Sequence, residues 1–262
     1  MEKVTAIIPT FNEERHIVEA IQSVRWADEI LVVDSLSTDR TVELAKAQGA
    51  RVIQRAYGYS ASQKNWAIPQ ASHPWIFLLD ADERCTPELE AEIKRVLTTP
   101  TGTHAYWIHR VNHFMGKRIN YSGWQSDKVV RLFRRDTCRY QDLKVHAEIE
   151  SSGPISQLSQ KILHYTYIDL ASYLRKADRY TTWGALDRFE KFQRKGTRIG
   201  WPYIFFRPLG RFLRHYVWRL GFLDGTHGLV VSLLSAHNIF VRAVKIWRLQ
   251  AGEELKDPFL NP

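Results

Sequence analysis

Cysteine is scarce in this sequence. Only Cys85 and Cys138 occur among its 262 residues. Two cysteines cannot build the dense disulfide framework of small secreted domains, and their spacing is not that of a CxxC metal knuckle. The N-terminus also lacks the apolar stretch of a signal peptide, so we expect no export and a reducing compartment.

Long apolar runs are missing as well. No stretch without charge reaches the roughly 18–20 residues that a transmembrane helix requires. The apolar segment 229–234 is followed by His237, Asn238, Arg242 and Lys245. We therefore expect no helix that spans a membrane.

Two common nucleotide-binding fingerprints are also absent. The first strand-like run is not followed by Gly-x-Gly-x-x-Gly, which argues against a Rossmann dinucleotide site. The sequence has no Gly-x-x-x-x-Gly-Lys-Ser/Thr motif either, which argues against a P-loop nucleotidase. Any nucleotide site in this chain must be built differently.

What the sequence does have is an uneven distribution of charge. Residues 1–100 carry 11 Lys and Arg against 15 Asp and Glu, whereas residues 101–262 carry 26 against 13; the net charge is +9. A basic surface attracts polyanions such as nucleic acid, anionic lipid or phosphorylated glycan. The C-terminal part is therefore expected to meet such a partner.

The first 97 residues alternate apolar strand-like runs with helix-like runs. This alternation predicts an α/β fold with a mostly parallel sheet and helices on both of its faces. Pro9 is expected to stop the first strand, Gly49 the second helix, and Thr86 to cap the fourth helix. The predicted strands are 4–8, 30–33, 51–54 and 75–79, and the predicted helices are 13–25, 41–48, 62–71 and 87–97.

The pattern changes after residue 100. Shorter strands are predicted at 105–108, 129–133 and 144–149, and helices at 169–194 and within 201–250. We expect three regions: a nucleotide-binding half of the α/β domain (1–100), an acceptor-side half (101–168) and a basic, aromatic-rich helical region (169–262).

Segment 208–220 has the pattern of a basic amphipathic helix. Arg207, Arg211 and Arg214 follow helical spacing on one side, and apolar residues occupy the other. Such a helix suits an anionic lipid interface. The alternative is a surface helix that packs on the core and leaves its arginines in water.

Acidic residues follow the predicted parallel strands, where open sheets bind their ligands. Asp80 and Asp82, separated by Ala81, come directly after an apolar run. Two carboxylates at such a place can share Mg²⁺ or Mn²⁺, with substrate phosphates completing the coordination. The alternative is that Asp82 and Glu83 merely cap the next helix.

Two further residues are candidates on weaker grounds. Asp34 ends the second strand and could accept a hydrogen bond from a nucleobase, although the polar cluster after it could be only a turn and a helix cap. Lys64 could offset the charge of a diphosphate, although a lone lysine is more often only solvated.

Three sequence blocks together resemble the family 2 glycosyltransferases. They are PTFNEE at 9–14, VVDSLSTDRT at 32–41 and LLDADE at 78–83, in the order and spacing of that family. The later segments RLFRR at 131–135, VHAE at 145–148 and HYTY at 164–167 are similar to the branch that adds β-glucose to the inner-core heptose of lipopolysaccharide. That branch has Val-His-Glu where this chain has Val-His-Ala-Glu.

The resemblance implies an inverting enzyme of the GT-A fold that uses a nucleotide-diphosphate sugar and a divalent cation, Mg²⁺ or Mn²⁺. It implies that Asp34 binds the base, typically uracil, that Asp80 faces the ribose or the metal, and that Asp82 binds the metal. The full set of implied nucleotide-sugar contacts is Pro9, Thr10, Asn12, Glu13, Asp34, Lys64, Asp80 and Ala81.

An inverting transfer needs a general base, and two carboxylates are candidates. Glu148 is favoured because its segment resembles the Val-His-Glu of that branch, displaced here by one residue. Strand alternation would place it on one face with His146, which would contact the metal or the diphosphate. Asp127 is second. It precedes the predicted strand 129–133, and it resembles the acidic residue that many family 2 enzymes have before an Arg-Leu pair. The alternative is that His146 and Glu148 form only the solvated face of a strand.

We expect an enzyme peripheral to the inner face of the cytoplasmic membrane that moves a hexose, glucose from UDP-glucose, onto a lipopolysaccharide core or similar anionic glycolipid. A polyprenyl-phosphate or other surface-polysaccharide acceptor is the alternative. A nucleic-acid-binding protein and an inactive membrane-bound scaffold are more remote, and nucleic acid is not expected as a partner because it leaves the acidic strand ends unexplained.

Overall fold

The computed structural model describes residues 1–99, 102–143 and 147–255. The described strands are β1 (Val4–Thr10), β2 (Glu29–Asp34), β3 (Arg51–Gln54), β4 (Trp75–Leu78), β5 (Glu83–Arg84), β6 (Ala105–Phe114), β7 (Lys117–Arg118), β8 (Lys128–Arg134), β9 (Cys138–Tyr140), β10 (Ile149–Ser151) and β11 (Ile155–Tyr167). The described α-helices are α1 (Ile17–Ser23), α2 (Thr41–Ala47), α3 (Ser60–Ala67), α4 (Pro87–Thr98), α5 (Leu170–Arg194), α6 (Trp201–Leu213) and α7 (Thr226–Gln250).

The predicted parallel part of the sheet is confirmed. Strands β3, β2, β1 and β4 lie side by side in that order, and all three pairs are parallel. Strand β1 does not stop at Pro9 as predicted but continues to Thr10, because its pairing with β2 persists and Ser35 N–H donates to the Thr10 carbonyl. The carboxyl ends of these strands therefore meet at one edge.

The two faces of the parallel strands bury different sets of side chains. On β1, Ile8 packs with residues of α1 and α4, whereas its neighbour Ile7 packs with Ile68, which follows α3. This alternation is the period of two that places successive strand residues on opposite faces. Helices thus cover both faces, and the α/β class predicted from the sequence is confirmed.

The remaining strands of the sheet add antiparallel pairs. Strand β8 pairs antiparallel with β4, then β6 pairs antiparallel with β8, and β11 and β5 follow at the far edge. Because β8 runs opposite to β4, the start of β8 lies beside the carboxyl end of β4. Residues that precede β8 are thereby brought toward the acidic strand exit.

The predicted strand at 144–149 is confirmed in its described part only at Ile149. Ala147 and Glu148 precede β10, which begins only at Ile149 and pairs with β9 in a separate two-stranded sheet. Pairing starts at Ile149 because its side chain is buried in the core on the α3 face of the large sheet. Residues 144–146 lie outside the described residues.

The described chain divides into two compact units. The first comprises residues 1–111 and 126–166, and the second comprises residues 112–125 and the described residues from 167 on. In the second unit, α7 packs against both α5 and α6. Asp169 caps α5 by accepting a hydrogen bond from Ser172 N–H at 2.7 Å.

The helix predicted at 208–220 begins earlier in the structure, and its last part is not α-helical. Helix α6 starts at Trp201, because Gly200 is its N-cap and Pro202 fits the first turn, and Pro208 lies inside it. A π-helical turn, Arg214–Trp218, follows. Leu209 and Leu220 are exposed, which does not fit the alternative of a helix whose apolar side packs on the core.

The expectation of no possible membrane span does not hold for α7. This 25-residue helix has a mean hydropathy of 1.5 over its most apolar window, and 22% of that window is buried. The histidine and asparagine within this segment carry no fixed charge, so they do not exclude it from a membrane as the sequence led us to expect. By length and composition α7 could cross a membrane, a test that core helices of soluble proteins also pass.

Candidate active site

The loops after β1 and β2 are tied to each other by side-chain hydrogen bonds. The Asn12 side chain accepts from Thr38 N–H at 2.8 Å, and Ser37 Oγ accepts from Asn12 N–H at 2.8 Å. Asn12 and Leu36 have left-handed backbone conformations, with φ of 54° and 63°. Asparagine tolerates this region better than leucine does, so the loop at Leu36 is held by its surroundings.

Asp34 is completely buried at the end of β2. Its carboxylate accepts hydrogen bonds from Ser37 N–H and Oγ, from Thr10 Oγ1 at 3.2 Å and from Gln54 Nε2 at 2.9 Å. The carboxylate therefore holds the turn after β2, which is the alternative that the sequence left open. Pro9 and Thr10 lie in the last part of β1, and Glu13 N–H donates to Thr41 Oγ1.

Asp80 follows β4 and meets two cations. Lys64 Nζ lies 3.5 Å from Asp80 Oδ1, and Arg131 on β8 contacts the other carboxylate oxygen. Lys64 also lies over the ring of Tyr140, with its nitrogen 5.1 Å from the ring centroid. The structure thus brings Lys64 and Asp80 together at the exit of β4.

Arg131 is the centre of a buried ionic network. Its side chain is 3% exposed and bridges Asp80 and the fully buried Glu83, with Nη2 2.7 Å from Glu83 Oε1. Glu83 Oε1 also lies 3.4 Å from Arg110 Nη1. The Arg110 guanidinium donates two hydrogen bonds, of 2.8 and 2.9 Å, to the Asp127 carboxylate. A continuous chain of charges therefore connects Asp80 to Asp127.

This network fixes the charge states of its members. Burial alone would raise the pKa of Asp80, but Arg131 and Lys64 outweigh it and hold that pKa far below its usual value. Burial opposes the charged form of Arg131 too, yet Asp80 and Glu83 raise its pKa well above the ordinary value. Asp80 and Arg131 are both charged at neutral pH.

Asp82 lies next to a histidine that the site predictions did not include. Asp82 Oδ1 is 3.7 Å from His164 Nε2 on β11, and both side chains are largely buried. The Asp82 carbonyl accepts a hydrogen bond from Tyr165 N–H, which ties β11 to this turn. Ala81 is buried between the two aspartates, and its carbonyl accepts from Arg84.

The alternative role of Asp82 and Glu83 as helix caps does not hold. Thr86 is the N-cap of α4, and its hydroxyl accepts a hydrogen bond from Leu89 N–H at 3.2 Å. Glu83 instead accepts from Asp80 N–H within the turn. Asp82 therefore does not cap α4.

Asp82 and His164 fit a divalent cation. Bonds of about 2.1 Å to each donor atom permit a separation of up to about 4.2 Å, which the 3.7 Å between Oδ1 and Nε2 satisfies. Carboxylate and imidazole together suit Mn²⁺. The described residues contain no cluster of three or more acidic, histidine or cysteine side chains that could hold a metal, so phosphate oxygens would have to complete this site.

The two candidate bases occupy different surroundings. Asp127 precedes β8, is partly exposed and is held by Arg110. Glu148 is exposed, and its backbone exchanges hydrogen bonds with Gln141 next to β9. The strand alternation that paired Glu148 with His146 is not supported, since Glu148 lies before β10, and His146 lies outside the described residues.

Sequence reasoning missed Arg110, Arg131 and His164 as members of the site. Arg131 and His164 were quoted only as parts of similar segments. A signal existed for Arg131, which lies inside the apolar strand β8. Arg110 and His164 lie in strands that hold several other polar residues, so no local pattern singles them out. What could not be read was that β8 and β11 lie beside the turn that carries Asp80 and Asp82.

We expect Arg131→Gln to lower the free energy of unfolding by about 3–5 kcal/mol, because it leaves Asp80 and Glu83 without their buried counter-charge. The matched control is Arg134→Gln on the same strand, whose partly exposed pair with Glu2 is worth only about 1 kcal/mol or less. Urea unfolding of both variants measures the difference. Equal losses in the two variants would contradict a central role for Arg131.

Comparisons with known proteins agree with this architecture. Residues 5–156, more than half of the chain, match the family model described as glycosyl transferase family 2. The lipopolysaccharide core biosynthesis glycosyltransferase LpsC of Rhizobium meliloti is 29% identical over 253 residues, covering 91% of this chain and 92% of that protein. An uncharacterized glycosyltransferase of Rickettsia typhi is 28% identical, with 95% and 88% covered.

A solved structure that resembles part of the chain is glucosyl-3-phosphoglycerate synthase of Mycobacterium tuberculosis, crystallised with Mn²⁺, UDP and glucosyl-3-phosphoglycerate. It is 23% identical, covers 43% of this chain and 44% of its own, and has a TM-score of 0.37. With a family model that spans residues 5–156 and relatives that match nearly its whole length, this chain belongs to glycosyl transferase family 2.

Proposed function

We propose that this glycosyltransferase moves glucose from UDP-glucose onto a lipopolysaccharide core or a similar anionic membrane glycolipid, with inversion at the anomeric carbon. The observation that carries the proposal is the convergence of Lys64, Asp80, Asp82 and His164 at the exit of β4. Similarity to a lipopolysaccharide core glycosyltransferase over nine-tenths of the chain supports the acceptor class.

Each residue at the exit of β4 has a distinct part in the proposal. Asp82 and His164 would hold a divalent cation, Mg²⁺ or Mn²⁺, which when bound would neutralise the diphosphate as it leaves. Lys64 adds a positive charge beside Asp80, which would offer the diphosphate a second cationic contact. Asp80 is held ionised and immobile by Arg131, so it can accept hydrogen bonds from the ribose.

The nucleoside would lie along the loops after β1 and β2. Asp34 keeps its oxygens engaged with Ser37, Thr10 and Gln54, so its first task is to shape the loop that receives the base. A direct hydrogen bond to uracil would have to share an oxygen with these donors. Asn12 and Glu13 belong to the facing loop, which the bond between Asn12 and Thr38 fixes in place.

We propose Asp127 as the general base, with Glu148 as the alternative. Arg110 fixes the Asp127 carboxylate, and Glu83 connects Arg110 to the turn that carries Asp80. A base must be held within reach of the acceptor hydroxyl on the side opposite the diphosphate. Glu148 is exposed and belongs to no comparable ionic network among the described residues, so its position is less well fixed.

We also propose that the enzyme works at the inner face of the cytoplasmic membrane. Helix α6 and the π-helical turn expose large aromatic side chains, among them Trp201 (72% exposed) and Trp218 (70% exposed). Aromatic and arginine side chains together are typical of segments that lie at a lipid interface. An acceptor that is itself a membrane lipid would require such an attachment.

A donor screen tests the proposed function. UDP-glucose with Mn²⁺ should raise the unfolding temperature, since a ligand at a hundredfold excess over its Kd stabilises the folded state by about 2.7 kcal/mol. GDP-glucose and UDP-glucose without metal are the controls, and both should shift it less. Equal stabilisation by GDP-glucose would contradict the choice of UDP.

The acceptor is tested separately by transfer. Mass spectrometry should detect a single added hexose on a deacylated lipopolysaccharide core that lacks its inner-core glucose. If the hexose is transferred to a polyprenyl phosphate and not to this core, the proposed donor stands and the proposed acceptor is wrong.

A further inference from the structure

The helical unit is rich in positive charge, and several of its arginines have no acidic partner among the described residues. Residues 191–252 contain 11 lysines and arginines but a single acidic residue, Asp224. Asp224 is buried, and its carboxylate accepts hydrogen bonds from the backbone of Asn120 and Tyr121. It is thus engaged with backbone N–H groups instead of an arginine.

Four arginines lie on three helices of this unit, where α7 packs against both α5 and α6, and three of them act electrostatically on the fourth, Arg242. Arg188 lies on α5, Arg207 and Arg211 lie on α6, and Arg242 lies on α7. The aliphatic part of the Arg242 side chain packs against α5 at Gly184. A Cβ atom at position 184 would lie only 3.2 Å from Arg242 Cδ. Glycine therefore leaves the space through which the Arg242 side chain passes.

These arginines act on each other electrostatically. Burial lowers the pKa of Arg242, and Arg188, Arg211 and Arg207 lower it further. The pKa of Arg211 is lowered by burial and then by Arg214 and Arg207. Like charges held this close destabilise the helical unit unless an anion lies among them.

The adjacent histidine adds no counter-charge. His215 Nε2 lies 3.0 Å from Arg211 Nη1, and because a guanidinium can only donate, the imidazole accepts and is neutral. Burial, followed by Arg211 and Arg214, lowers the pKa of His215 to about 4. His215 therefore holds the guanidinium of Arg211 without neutralising it.

The acidic side chains of α5 are bound elsewhere. Asp178 pairs with Lys245 at 2.7 Å, Asp187 with Lys191 at 2.9 Å, and Glu190 contacts Arg194 at 3.6 Å. Within the described residues, Arg188, Arg207, Arg211 and Arg242 form no ion pair with a carboxylate. An anion from another molecule could supply the negative charge that the described residues do not.

We propose that Arg188, Arg207, Arg211 and Arg242 form a binding site for a phosphate monoester or diphosphate group. Guanidinium forks match the oxygens of phosphate, and several of them favour a multiply charged anion over a single carboxylate. Three of the four are only partly exposed, which suits a compact group entering between helices better than a polymer lying across the surface. If the proposed function is right, this phosphate belongs to the membrane acceptor.

Two pairs of variants test the site by thermal unfolding with inorganic pyrophosphate. Arg188→Gln and Arg242→Gln remove cluster members, whereas Arg194→Gln and Arg248→Gln remove arginines from the same two helices outside it. All measurements use the full chain, with sodium chloride at equal ionic strength as reference and saturating UDP to occupy the donor site.

Pyrophosphate should raise the unfolding temperature of the wild type and of both controls. The two cluster variants should bind it about tenfold more weakly or worse, since a hydrogen bond between charged groups is worth roughly 1.5–3 kcal/mol. Stabilisation by UDP should be the same in all five proteins, so a failure of the donor site would be recognised separately. No pyrophosphate effect in the wild type, or equal loss in cluster and control variants, would overturn the proposal.

A vesicle arm identifies the source of the phosphate. Stronger sedimentation of wild type than of Arg242→Gln with phosphatidic-acid vesicles, reversed by pyrophosphate, would support a lipid phosphate. A pyrophosphate effect without this difference would support a soluble phosphate ligand.

Discussion

Asp82→Asn is expected to reduce transfer by about a thousandfold or more while the protein stays folded. The variant removes the charge that would hold the cation at the diphosphate, and loss of several kcal/mol of transition-state stabilisation corresponds to about three orders of magnitude in rate. The fold should survive because the hydrogen bond from Tyr165 ends on the Asp82 backbone carbonyl, which the substitution keeps. Transfer rates and circular dichroism of the purified variant measure the two effects.

Two companion variants sharpen this test. Asp136→Asn removes an exposed carboxylate paired with Arg135 and should leave transfer unchanged. His164→Gln should keep part of the activity but need more Mn²⁺ to reach half of its maximal rate, since one of two protein ligands is lost. EDTA should silence the wild type, and full activity in EDTA would remove the cation from the mechanism.

Asp127→Asn should lower kcat by about 10²–10⁴-fold with donor affinity nearly kept, if Asp127 removes the proton of the acceptor hydroxyl. The asparagine can still accept one hydrogen bond from Arg110, so the side chain keeps its place but not its basicity. The acidic limb of the pH–rate profile should disappear together with the rate. Single-turnover transfer and donor titration separate the two quantities.

Glu148→Gln is the direct comparison, and it should transfer at nearly the wild-type rate. A large loss in Glu148→Gln with normal transfer by Asp127→Asn would move the base to Glu148. Arg110→Gln should lower kcat less than Asp127→Asn does, because it frees the carboxylate without removing it. Near-normal transfer by Asp127→Asn and Glu148→Gln alike would contradict a carboxylate base in this half of the site.

Local patterns in the sequence determined the parallel half of the fold. Apolar runs of strand length predicted β1 to β4 because side chains buried on both faces of a sheet must be apolar. Thr86 and Gly49 marked helix ends because a hydroxyl satisfies free N–H groups and because glycine adopts the φ of +80° found there. The same runs placed Asp80 and Asp82 at the exit of a strand.

Tertiary structure alone decided what Asp80 and Asp82 face. Arg131 reaches Asp80 across 51 residues of chain, and His164 reaches Asp82 from another strand, because β8 and β11 join the sheet beside β4 and β5. Which strands become neighbours depends on pairing between distant segments, which no local pattern specifies. The sequence itself determined the carboxylates and the edge at which they lie. Strand pairing decided their cationic partners and the late start of β10, and packing of α7 against α5 and α6 decided which arginines lie near Arg242.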